Sequence, residues 1–99
     1  MPYSIEIRRT HVDADRAIYH WAVENGASGH VLLDRSNGRF RPSDEDGGPI
    51  GSMYLDMAEG NVHGADPAQA ADFIKVVGGI AKKWDGHGTP PETAHRIFG

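Results

Sequence analysis

The sequence contains no cysteine and few aliphatic residues. The lack of cysteine among 99 residues excludes a disulfide, a thiolate nucleophile, an iron–sulfur cluster and a cysteine-ligated zinc site. Leucine, isoleucine, valine and phenylalanine together number nineteen, near the level of about 20% below which chains tend to be disordered. A net charge of only −4 and eight aromatic residues argue against disorder. We therefore expect one folded domain over residues 1–99, with a thin core.

Long apolar runs and concentrated basic charge are also missing. The longest aliphatic stretch is interrupted by Gly78 and Gly79, and the first residues lack the basic and apolar regions of a signal peptide. Basic and acidic residues are mixed in both halves of the chain, whereas nucleic-acid binders concentrate positive charge. We expect no nucleic-acid or membrane partner and a cytoplasmic location. Seven arginines against three lysines suggest a GC-rich bacterial genome.

Alternating apolar and polar residues predict a first β-strand over residues 3–9. Tyr3, Ile5 and Ile7 fall on one side of this segment and polar residues on the other. An apolar face on such a strand is typical of a sheet that is covered on one side.

The next segment, residues 16–24, fits two structures. As a helix it would place Ile18 and Trp21 on one stripe, and as a strand it would turn Trp21 inward. Asn25-Gly26 and Asn37-Gly38 are hairpin signals that bracket a further strand-like segment. We therefore prefer an antiparallel meander, with strands over about 3–9, 17–24, 29–35 and 39–42.

The second half of the chain predicts one helix. Asp66-Pro67 supplies an N-cap and a proline at the first helical position, and apolar residues follow at helical spacing to about residue 84. We expect loops over residues 42–51 and 60–65. A fifth strand or a helical turn would fit residues 53–57, and one or two helical turns would fit residues 92–98. The predicted buried stripe of the helix comprises Phe73, Ile74, Val77, Ile80, Ala81 and Trp84.

These elements predict an α+β fold of two layers. An antiparallel β-meander of four to five strands, with residues 3–9 at one edge, would be packed on one face by the C-terminal α-helix of about 67–84. The other face would be open. Alternation places Arg8, His20, Arg39 and Arg41 there, with Ile18 contributing an apolar patch. Because interfaces favour arginine and aromatic side chains over lysine, we take these four residues as the candidate binding site.

No catalytic, metal or cofactor motif is present. The six histidines include no His-x-x-x-His pair, the spacing that puts two imidazoles on one helix face. The acidic run 44–46 fails the register of a calcium loop. The Gly26-to-His30 segment lacks the last glycine of a nucleophile elbow. We expect no catalytic residues, no metal and no cofactor.

The sequence therefore favours a small non-catalytic binding or regulatory module. It would associate through the open sheet face with another protein or with a second copy of itself, as in a homodimer. The alternative is a small enzyme or ligand-binding domain that uses His20 and His30 with Glu24 or Asp34, because histidine beside a carboxylate can perform acid–base chemistry.

Overall fold

A computed structural model describes residues 3–24, 26–64, 67–84 and 88–98. These residues form one antiparallel sheet of seven strands and one helix, so the α+β class is confirmed and the expected four to five strands were too few. The elements in chain order are β1 (Tyr3–Val12), β2 (Arg16–Val23), β3 (Ser28–Asp34), β4 (Arg39–Ser43), β5 (Tyr54–Asp56), β6 (Asn61–His63), α1 (Pro67–Ala81) and β7 (Thr93–Phe98).

The first six strands follow one another across the sheet as a meander. The chain then passes through α1 to the opposite edge, where β7 pairs with β1, giving the order β6-β5-β4-β3-β2-β1-β7. Residues 16–24 resolve as a strand, with Tyr19 opposite Val31. The predicted turn at Gly26 has a positive φ of 103°, which glycine adopts without strain; Asn25 lies outside the described residues.

The C-terminal segment is a strand, so the expected helical turns over residues 92–98 were wrong. Pro90 and Pro91 before it favour extended backbone over helix, and the outer edge of β1 offers unpaired backbone groups. Residues 93–98 pair along that edge from Thr93 opposite Arg8 to Phe98 opposite Tyr3. The first strand is therefore covered and does not form an edge of the sheet.

Side-chain donors hold the approach to β7 in place. Arg9 Nη1 donates to the carbonyl of Pro90 at 2.8 Å, and Tyr19 Oη donates to that of Pro91 at 2.5 Å. Trp84 Nε1 donates to the carbonyl of Gly88 at 3.2 Å. The two prolines lack an N–H and cannot donate to a sheet ladder. The three carbonyls accept instead from side chains of β1, of β2 and of the segment just after the helix.

The short strand β6 lies within residues 60–65, so the loop expected there was wrong. Its three residues pair with β5 from Tyr54 opposite His63 to Asp56 opposite Asn61. Gly60, with φ of 73°, lies in the turn between the two strands. The fifth strand, left open over residues 53–57, is present over Tyr54–Asp56.

The core lies between α1 and one face of the sheet. Phe40, Tyr19 and Ile80 are all 0% exposed and belong to one apolar cluster that joins sheet and helix. The cluster also includes Ile5, Ile7, Val31, Leu33, Phe73, Val76, Val77 and Trp84.

The helix buries a stripe that is rotated from the predicted one. Ile74 is 46% exposed, so its expected burial was wrong, whereas Val76 on the opposite flank is fully buried. Residues 74 and 76 lie about 200° apart around a helix, so one sheet face cannot cover both. The helix ends at Ala81 rather than near residue 84, and its proposed cap Asp66 lies outside the described residues. No helix in the described ranges is long and apolar enough to cross a bilayer.

Candidate functional site

Alternation along the strands places the four predicted site residues on the face opposite α1. Arg8 lies opposite His20 across β1 and β2, and His20 lies opposite His30 across β2 and β3. Arg39 and Arg41 lie two positions apart on β4, on either side of the buried Phe40. The structure therefore puts all four side chains on the expected face.

A glycine-containing loop covers the middle of that face. Ile18, expected to be an open apolar patch, is only 3% exposed and is absent from the main core cluster. Residues 44–48, the covering loop, lie over it: a Cβ at Gly47 would approach Ile18 Cδ1 to 3.0 Å. Gly47 also has φ of 87°, so glycine suits this position on two grounds. Asp44 closes the loop by accepting the Gly48 N–H at 2.8 Å.

Ile18 separates the four predicted residues into two groups along the sheet. Arg8 and His20 line a cleft of about 430 Å³ that includes Glu6 and His95. We call it the Arg8 cleft. Lys83 reaches it from the end of the helix and donates to the carbonyl of Thr93 at 3.3 Å. Its charges are mixed in sign, which reduces the local potential.

The second group lines a smaller cleft of about 300 Å³, the Arg41 cleft, with Leu32, Asp34, Arg39, Arg41 and Tyr54 on its walls. Arg41 Nε is buried and has no hydrogen-bond partner among the described residues. Nη2 of the same side chain makes one long contact of 3.4 Å with the carbonyl of Gly51. A guanidinium carries five N–H donors, and this is the one hydrogen bond from Arg41 found among the described residues.

Aromatic rings and an arginine are stacked beside Arg41. The guanidinium of Arg39 lies 4.9 Å from the centre of the Tyr54 ring, and that ring stacks on His63 at 4.8 Å. Arg39 Nε also contacts Asp56 Oδ2 at 3.4 Å. The hydrogen bond that Asp56 accepts from the backbone N–H of Ala58 lowers the pKa of this carboxyl below its usual value, and the smaller contribution of Arg39 acts in the same direction. Arg39, Tyr54 and His63 thus form a stacked row, in which the Tyr54 ring contacts Arg39 and His63.

The histidine pair is brought together, but its predicted carboxylates are distant. The rings of His20 and His30 are 5.0 Å apart and tilted by 58°. Glu24 and Asp34 each follow one of these histidines by four residues along a strand, a separation of about 13 Å. Asp34 also accepts the backbone N–H of Ser36 at 3.0 Å. Neither carboxylate is placed to act on the histidine rings.

A further cavity lies on the helix side of the sheet, where no binding site was expected. We call this space of about 490 Å³ the Trp21 cleft. Trp21, predicted to face the core, is only half-buried and packs against the main cluster from its margin. The apolar part of its lining comprises Trp21, Val31, Pro42, Ile50, Met53 and Phe73.

Gly29 shapes the floor of this cleft. It lies opposite Trp21 across β2 and β3, and a Cβ there would come within 2.9 Å of Trp21 Cζ2. The missing side chain thus lets the indole lie across β3. A glycine inside the predicted strand 29–35 was the sequence signal for a close approach here, because glycine in a strand often marks such a site.

Within residues 3–24, 26–64, 67–84 and 88–98, no three histidine, aspartate or glutamate side chains cluster so as to hold a metal ion. Comparisons of the chain with protein-family models, with curated proteins and with solved structures found no match.

Proposed function

We propose that this chain is a small, non-catalytic binding or regulatory module that associates with another protein through the open sheet face. The Arg41 cleft forms the centre of the contact, and the row of Arg39, Tyr54 and His63 forms its margin. The partner presents acidic side chains, or is a second copy of this chain that does so. The proposal includes the cytoplasmic location expected from the sequence.

The unpaired Nε of Arg41 is the observation that carries this proposal. Buried polar atoms in folded proteins nearly always have a hydrogen-bond partner, and an atom that lacks one calls for an explanation. Among the described residues Arg41 forms no salt bridge and makes only its long contact with Gly51. A carboxylate from a partner could accept two Nη–H groups at the exposed end of this guanidinium, in the two-pronged geometry that arginine favours.

The stacked row adds a second reason. Arginine and tyrosine are enriched where interfaces contribute most binding free energy. Here the contacts among Arg39, Tyr54 and His63 order these side chains in advance, so less conformational entropy is lost on binding. The Arg8 cleft has less support, because none of its lining residues has a buried side-chain polar atom without a partner among the described residues.

The test separates the effect on binding of the charge of Arg41 from the effect of its planar geometry. Wild-type protein and the variants Arg41→Glu, Arg41→Lys and Lys82→Glu are immobilised and exposed to lysate of the source organism, and retained proteins are quantified by mass spectrometry. Lys82 is an exposed cation just beyond α1, so its reversal controls for net charge. Light scattering of each variant measures self-association, and thermal melts confirm folding.

We expect one partner to bind wild type and Lys82→Glu equally and to bind Arg41→Glu about tenfold or more weakly, because reversal places like charges in contact. Arg41→Lys should also weaken binding, since lysine keeps the charge but lacks the planar, two-pronged donors of the guanidinium. Equal retention or equal self-association for all four proteins would contradict the proposal.

One observation favours part of the alternative function. His30 lines the Trp21 cleft as well as facing His20, so a ligand-binding domain that uses this histidine has a cavity beside it. The distances from His20 and His30 to Glu24 and Asp34 support ligand binding better than acid–base catalysis.

A further inference from the structure

We propose that the Trp21 cleft binds a small molecule that carries a cationic group, an amine or a guanidinium, on an apolar body. The site lies between α1, the end of β2 and residues 50–53. It is separate from the Arg41 cleft, with which it shares only Ser52 among the residues of both linings, so the two proposals can fail independently.

The size and lining of the cleft suit a small organic molecule. Its volume of about 490 Å³ falls within the usual range for ligand pockets, roughly 300–1,000 Å³. Ile50 is 58% exposed at this site, and Trp21 and Met53 provide further apolar surface. A ligand that covered Ile50 would remove from water the largest exposed fraction found for a bulky apolar side chain among the described residues.

The charge of the cleft selects a cation. Asp72, which is partly buried on α1, is the one carboxylate among the described residues that line the cavity, and no lysine or arginine of that lining opposes it. Asp72 forms no salt bridge among the described residues. The indole of Trp21 is the side chain that attracts cations most strongly through its ring face. A carboxylate and an indole in one cavity therefore both favour positive charge.

The shape of the cleft depends on two glycines. Gly29 leaves space for the Trp21 indole, and Gly64, with φ of 68°, brings the end of β6 against Ser52: a Cβ at Gly64 would lie 2.8 Å from the Ser52 carbonyl oxygen. At each glycine a neighbouring segment comes close to the backbone, and neither close approach fills the central cavity. The cleft is thus built from backbone approaches as well as side chains.

The experiment compares three probes of similar size and different charge: hexylamine, hexanol and hexanoate. Binding to the ¹⁵N-labelled protein is followed by NMR at the Trp21 indole N–H, which is assigned with Trp21→Phe. The variant Asp72→Asn removes the carboxylate, and Asp46→Asn, in the exposed covering loop, removes a carboxylate elsewhere.

We expect hexylamine to shift the Trp21 indole signal and to bind about fivefold more tightly than hexanol, the upper range for an exposed charge pair, with hexanoate weakest. Asp72→Asn should abolish the preference for the amine, and Asp46→Asn should retain it. Equal binding of amine and carboxylate, a preference that survives Asp72→Asn, or no shift at Trp21 with any probe would overturn the proposal.

Discussion

The helix-side face and the open face of the sheet are covered by different means. On the helix side, side chains of α1 and of the strands form one buried cluster, and a cavity lies at its margin, beside Trp21. On the open face, the covering loop buries Ile18 and leaves a cleft on each side of it. The same alternation of residues thus produces an apolar cleft with an acidic group on one face and arginine-lined clefts on the other.

This difference shows what alternation in a sequence determines. The period of two assigns each side chain to a face, but the element that covers a face decides which side chains remain accessible. Here α1 contributes several side chains to the buried cluster, whereas the covering loop lies over one residue, Ile18. The binding properties of the two faces therefore depend on α1 and on residues 44–48 as much as on the strands.

The largest expected loss of stability is at a buried aromatic residue of the helix side, and we compare it with an aromatic residue of the open face. Phe40→Ala removes a ring that is 0% exposed on the helix side, and should lower the free energy of unfolding by about 3–5 kcal/mol. Tyr54→Ala, on the open face, should lower it by about 1 kcal/mol or less. Urea melts measure both values. Equal losses would show that the open face is packed as firmly as the core.

The second prediction concerns the pH dependence of the helix-side face. Burial raises the pKa of Tyr19 from 10.0 to about 12, because the phenolate is poorly solvated there. The folded state thus holds this proton more firmly, and the resulting stability is present below pH 10.0 and lost as the pH rises to about 12. Two pKa units correspond to about 2.7 kcal/mol.

Urea melts of wild type and Tyr19→Phe over this pH range isolate that contribution. Near neutral pH the wild type should be more stable by about 1 kcal/mol, since the variant loses the hydrogen bond to Pro91. The difference should reverse near the upper end of the range, where only the wild type has a phenol to ionise. Parallel curves for the two proteins would contradict burial as the cause of the shift.

The third prediction tests the covering loop. Ile18→Ala should lower the free energy of unfolding by about 2 kcal/mol, the low end for a buried isoleucine, because a loop can collapse onto the space. Gly47→Ala should also destabilise, since its Cβ would press on Ile18 and its φ of 87° disfavours side chains. If Ile18→Ala left stability unchanged, the loop would not be seated on the sheet, and the two open-face clefts would merge.

The smallest expected effect is at the margin of the helix side. Gly29→Ala should displace the Trp21 indole and destabilise the fold by about 1 kcal/mol, the low end for overpacking, because a half-buried ring can move outward. The Trp21 indole N–H signal should shift in NMR spectra, whereas Ser28→Ala, at the exposed neighbouring position, should leave it in place. An unchanged signal in Gly29→Ala would show that the indole does not lie over β3.

The strands that were predicted correctly are those with strong local signals. Alternation and the turns at Gly26 and Gly38 are contained within residues 3–43, so the presence and order of β1 to β4 follow from neighbouring segments. The strand β7 has no such signal, because its partner β1 lies at the other end of the sequence. Tertiary context decided its structure.

The candidate site was predictable to the same extent. Alternation placed Arg39 and Arg41 on the open face, but it could not show that Arg41 Nε is buried without a partner. That property depends on the path of residues 44–52, a glycine- and proline-rich segment without periodicity. The Trp21 cleft also needed three segments, distant in sequence, to meet.

Among the described strands, β1 is synthesised first and its outer partner β7 last. The backbone groups along that side of β1 have no partner until residues 93–98 leave the ribosome, when β7 can pair with it. An unpaired strand edge recruits strands from other molecules, so crowding of nascent chains acts on this edge from the emergence of β1 until that of β7. A chain interrupted before Thr93 would keep the edge exposed, and its soluble yield would fall as the expression level rises.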